Sequence, residues 1–152
     1  MLWSYREDTR TWSKGMHRSE FQSIAKLRVR EARVLLESGY SAGAYYLIGY
    51  AIECALKSCI AKQIRRCEFP DRKLVNETYT HDLEKLVRIA GLAPEFERER
   101  AANPALDLNW AITKDWSESA RYDDGISESQ ARDLLLACVG RNGVLPWVKK
   151  RW

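Results

Sequence analysis

Ser41-Ala-Gly-Ala-Tyr-Tyr-Leu-Ile-Gly-Tyr-Ala-Ile-Glu-Cys-Ala-Leu-Lys-Ser-Cys-Ile-Ala-Lys62 is apolar on almost every side of a helical wheel, with Glu53 and Lys57 as the only charges before its last residue. A helix of that kind is a buried one, so the other elements are expected to pack around it. On a 3.6-residue spiral Tyr46, Tyr50, Glu53 and Lys57 fall at i, i+4, i+7 and i+11, one stripe of two hydroxyls, a carboxylate and an amine. Ala44, Ile48, Ala51, Ile52, Ala55 and Cys59 cover the remaining circumference, and the small residues among them admit close neighbours.

Upstream, Ser19-Glu-Phe-Gln22 has the capping-box pattern, which predicts a helix from there to about Ser38. Phe21, Ile24, Ala25, Leu27, Ala32, Val34, Leu35 and Leu36 make its broad apolar side, and Gly39 is suited to the left-handed residue that ends it. Ser41 is then expected to cap the central helix, and so short a link makes the two antiparallel. Downstream, 67–79 loses periodicity and contains Pro70, which predicts a loop. Thr80 is expected to cap a short helix from His81 to Ala90, closed by Gly91. Pro94 opens another to about Ala102, and Pro104 restarts it towards Tyr122. Ser127-Glu-Ser-Gln130 repeats the capping-box pattern before a last long helix that stops at Asn142 and Gly143. No run alternates with the period of a strand, so the fold class is all-α. The expected organisation is an N-terminal arm over residues 1–18, a helical bundle over 19–143 and a basic, aromatic tail over 144–152.

With 152 residues, 45% of them hydrophobic and 30% charged, the chain suits one soluble domain with one core. Its longest apolar run, Ala44 to Ile52, is far short of the roughly 20 residues a membrane-spanning helix needs. The first residues mix charges of both signs and lack an apolar core, so no signal peptide is expected and the cytoplasm is the expected compartment. Cys54, Cys59, Cys67 and Cys138 lack C-x-x-C spacing, which points to buried free thiols and to neither a zinc site nor a disulfide framework. A net charge of +4 is mild for a dedicated nucleic-acid binder. No cofactor loop or metal-ligand cluster is present in the sequence.

Several pieces together resemble the HEPN family, the small helical domain of higher-eukaryote and prokaryote nucleotide-associated proteins. They are Ala32-x-x-Leu35-Leu36 with Gly39-Tyr40, then Ala44-x-Tyr46-Leu47-x-Gly49-Tyr50-Ala51-x-Glu53-x-Ala55-Leu56-Lys57, then Thr80-His81-Asp82-Leu83-x-x-Leu86, then Trp116 with Arg121-Tyr122. The resemblance spans residues 21–139. It implies a four- to five-helix up-and-down bundle, frequently a homodimer, in a prokaryotic stress, toxin-antitoxin or antiphage defence setting. It further implies RNA or a nucleotide as ligand, and a nucleotidyltransferase or an antitoxin as partner protein. Ribonuclease members carry Arg followed four to six residues later by His on a late helix. Here Arg121 has no His after it, and Arg10 and His17 precede the first helix.

The residues leave two accounts open for each candidate group. His81, Arg121 and Glu53 are the candidates for catalysis by a metal-independent endoribonuclease with a non-standard site, supplying with Lys57 the base, proton donor and cation that the reaction needs, whereas His81 in a helix's first turn equally suits a local hydrogen bond. Glu53 and Lys57, at i and i+4, equally suit a structural ion pair that neutralises itself inside an apolar helix. Tyr46, Tyr50, Lys57, Trp116 and Tyr122 are the candidate ligand-binding set, their rings able either to stack on bases or to fill the core. Lys149, Lys150 and Arg151, flanked by Trp147 and Trp152, suit either a phosphate-tracking tail or a solvated terminus.

Overall fold

The computed structural model describes residues 16–64 and 71–152, and all regular structure among them is helical. Trp3, Arg10, Trp12 and Cys67, and all but the last residues of the expected arm, lie outside the described residues. Helix α1 spans Arg18–Glu37 and α2 spans Ser41–Gln63. The start of α1 comes two residues earlier than the Ser19 box predicts, with His17 and not Ser19 as the N-cap. The Glu20 carboxylate, not Gln22, accepts the His17 backbone N–H, and an acid in the first turn also suits the positive end of the helix dipole. At the other end Gly39 takes φ 84°, Gly39 N–H donates to Leu36 O and Tyr40 N–H to Leu35 O, which is a Schellman motif. Tyr40 then opens α2 at once, its carbonyl accepting from Ala44 N–H, so Ser41 is the first helical residue and not the cap.

Ala25, Val29, Ala32 and Leu36 put one narrow face of α1 on α2, while Leu27 and Val34, expected inside, are exposed, Val34 by 62%. The expected apolar side was too broad because only one stripe of α1 meets a neighbour. Helix α2 is enclosed by α1, by α4 (Leu83–Ile89), by α7 (Glu128–Val139), by α8 (Val144–Lys149) and by a 3-10 turn at Glu118–Tyr122. Its Ala44, Ala51 and Ala55 are fully buried, and these small side chains let the surrounding helices reach its backbone.

Most of the remaining differences from expectation concern segments too short for a period to show, or helix ends where two residues could cap. Part of the 67–79 loop is a helix, α3 (Arg72–Glu77), started by Asp71, whose side chain accepts Lys73 N–H. Helix α4 begins two residues later than expected, because Asp82 accepts Lys85 N–H while Thr80 Oγ1 only accepts Asp82 N–H. His81 therefore stands in the link and not in the helix. Helices α5 (Ala93–Ala102) and α6 (Pro104–Lys114) follow, with Asn103 capping the second, and α6 ends well before Tyr122. Helix α7 has the expected Ser127–Gln130 box but ends at Val139, not at Asn142.

The tail packs through its apolar residues and leaves Lys149 and Lys150 exposed. Val144, Leu145, Trp147 and Val148 of α8 are buried, and Phe96 packs between Trp110 and Trp147 with ring centroids 5.0 and 4.4 Å away. Arg151 lies 3.6 Å over the Trp147 ring and donates to Glu95 and Glu99, while Trp147 Nε1 donates to Glu99. Apolar side chains at i, i+1, i+3 and i+4 give so short a helix a face to bury, and the ion pairs tie it to α5. No described helix is long and apolar enough to cross a membrane.

Candidate functional site

The stripe on α2 becomes a continuous row of contacts. The Tyr46 and Tyr50 rings stack with centroids 6.1 Å apart and planes within 3°, and Trp116 continues the row on the far side of Tyr46, also at 6.1 Å. Trp116 itself lies flat on Gly49, where a Cβ would come within 2.1 Å of the indole. Only a residue without a side chain allows that approach.

At the other end of the row Glu53 is 1% exposed and holds two partners. Lys57 Nζ lies 2.7 Å from Oε1, and His81 Nδ1 lies 3.0 Å from both carboxylate oxygens. A buried anion needs such donors, and the release of His81 from α4 is what lets it reach back to α2. With Glu53 ionised, Nδ1 is the donor, so the carboxylate fixes the ring's orientation and leaves Nε2 to meet a ligand. The His81 side chain is 45% exposed.

That imidazole edges a cleft of about 450 Å³ between the second half of α2, the start of α1, and α3 with its following turn. Tyr50, Glu53, Lys57 and His81 supply its polar side, and Phe21, Ile60, Ile64 and Val75 much of its apolar wall. The sequence reading missed the whole wall from α3 and the 78–79 turn. The cue was Asp71, an N-cap residue directly after Pro70. Arg121 and Tyr122 do not join this cleft: Tyr122 is 82% exposed, and the Arg121 guanidinium sits 5.2 Å from its ring. Of the proposed catalytic trio, Glu53 and His81 meet and Arg121 stands apart; of the proposed ligand-binding set, Tyr50 and Lys57 line the cleft, Tyr46 stacks on Tyr50 outside it with Trp116 tilted against Tyr46, and Tyr122 is elsewhere. Among the described residues no three His, Cys, Asp or Glu side chains converge as metal ligands.

Burial raises Tyr50, already beside Cys54, to about 12. It raises the thiols of Cys54 and Cys59 to about 11 and that of Cys138 to about 12, from an ordinary 9.0. All three cysteines are free and buried. An acid whose folded pKa is raised keeps its proton in the native state after the unfolded chain has lost it. Its contribution is therefore intact below pH 9.0 and lost as pH climbs through the window up to about 12 for Cys138. Denaturant melts at several alkaline pH values should show wild type losing stability more steeply than Cys138→Ala, by up to about 1.4 kcal/mol per pH unit. Parallel curves would refute the assignment.

Comparison with protein-family models, with curated proteins and with solved structures returns no match for this chain.

Proposed function

We propose that the chain is a HEPN-like module that binds a nucleotide or a stretch of RNA in the Glu53–Lys57–His81 cleft. In this reading it acts as a homodimer in a prokaryotic stress, toxin-antitoxin or defence setting, with a nucleotidyltransferase or an antitoxin as partner. The observation that carries the reading is the buried carboxylate that holds an imidazole and an ammonium at the edge of an apolar cleft. The ammonium, and Nε2 when the ring carries both protons, suit phosphate oxygens, the apolar wall suits a base, and the Tyr46–Tyr50 stack stiffens the back.

A second reading, a metal-independent endoribonuclease, is favoured by one feature: Glu53 orients His81 as a carboxylate orients a general base, with Nε2 left for a proton. In that reading Lys57 takes the electrostatic role, since Arg121 stands outside the cleft.

His81→Asn separates binding from structure, because the amide keeps a donor for Glu53 while Nε2 is lost. Titration with labelled oligoribonucleotides and mononucleotides should show binding weakened about tenfold, as loss of a charge-assisted hydrogen bond requires. Melting temperature should stay near wild type. Unchanged affinity would sink the cleft as the ligand site, and RNA cleavage in chelator that disappears in the variant would select the ribonuclease reading.

A further inference from the structure

A second concave surface, which shares no residue with the His81 cleft, lies between α1 and α8. Its volume is about 390 Å³. Four cations line it, Lys26, Arg30 and Arg33 from α1 and Lys149 from α8, over an aliphatic floor in which Val139 and Pro146 are half-buried and Val29 and Leu145 belong to the core beneath. No carboxylate from the described residues pairs with any of the four, whereas Arg28, Arg100, Arg132 and Arg151, like the groove's cations on helices or beside them, each have one. Several other surface arginines, Arg88 and Arg98 among them, are also without one among the described residues, so it is the convergence of four cations on one groove that marks it. Lys26, Arg30 and Arg33 occupy i, i+4 and i+7, so their charges form one stripe about 10 Å long and repel one another along the helix. Lys26 and Lys149 converge on the Trp152 ring, at 5.5 and 5.7 Å, which brings the two walls of the groove to a common point.

We propose that this groove binds an acidic amphipathic helix of a partner protein, its aliphatic side chains on the floor and its carboxylates at i, i+4 and i+7 against the α1 stripe. Charge complementarity sets the sign of the partner, and the floor sets its class. The lining holds no neutral polar group to read a base, and the one ring at its end, Trp152, is already engaged by Lys26 and Lys149. A nucleic-acid backbone would satisfy the cations and leave the aliphatic floor against phosphates. An amphipathic helix covers both parts at once.

The test is fluorescence anisotropy with a labelled synthetic helix bearing one flank of glutamates and one of leucines, beside a control in which the leucines are serines. Micromolar binding at low salt is expected, about tenfold weaker for the serine control and about tenfold weaker or more for Arg30→Glu with Arg33→Glu. All the reversed side chains are exposed, and Lys149→Glu gives the same readout from the other wall. Equal affinity of the two peptides, insensitivity to either charge reversal, or an oligouridylate that binds the groove more tightly than the leucine peptide would overturn the proposal. His81→Asn leaves this binding unchanged, so failure here and failure of the nucleotide reading are told apart.

Discussion

Glu53→Gln is expected to lower the unfolding free energy by at least about 2 kcal/mol, and Lys57→Met by a similar or larger amount. Breaking a buried ion pair from one side costs about 3–5 kcal/mol, because the remaining charge is stranded. Glu53 is 1% exposed, so a carboxylate left with His81 alone has little water to turn to. Lys57, at 18% exposed, can swing partly into the cleft, which is why the Gln variant is placed at the lower end. The double variant Glu53→Gln with Lys57→Met should regain much of the loss, since the Gln carbonyl still accepts from His81 and no ion is stranded. Non-additivity in denaturant melts of the three variants measures the coupling. A flat stability series would mean that the carboxylate is hydrated in solution and serves the ligand alone.

Gly49→Ala should cost about 2–3 kcal/mol, even though alanine is worth about 1 kcal/mol more than glycine in a helix interior. The added Cβ would sit 2.1 to 2.3 Å from three atoms of the Trp116 indole, which is itself 3% exposed and has nowhere to move. Overpacking of that degree forces the ring, the Tyr46 contact beside it and the link after α6 to shift together. Trp116→Leu in the same chain removes the obstacle. Because Trp116 Nε1 has no hydrogen-bond partner among the described residues, shortening the side chain breaks no polar contact. The pair should therefore be less destabilised than the sum of the two single variants. Additive losses would mean that the ring does not rest on Gly49.

What the sequence revealed depended on length of pattern. The all-round apolarity of residues 41–62 identified the buried helix, Gly39 and Gly91 marked two helix ends, and both have positive φ. The Ser127–Gln130 box placed the start of α7. Shorter elements were hidden. Six residues of α3 and six of α8 are less than two turns, so the first passed for a loop and the second for a tail. Thr80 and Asp82 are both good caps, and only the structure shows that the second wins and that His81 is thereby freed. The Glu53–Lys57 pair was legible from its spacing, whereas the His81 contact spans 28 residues and is set by tertiary packing. Trp116 posed the same difficulty: a period says that a side chain is buried but not which backbone it lies on.

The two sides of the His81 cleft differ in how freely they can be inherited. Tyr50, Glu53 and Lys57 belong to a helix with neighbours all round, where almost any replacement must be answered by a change in some partner. Val75, Thr78 and Tyr79 come from α3 and its turn, which bury no residue at all. Mutations there disturb no fully buried side chain. Descendants of this chain could exchange one wall for another and so change what they hold, while the anion at the heart of the frame stays where it is.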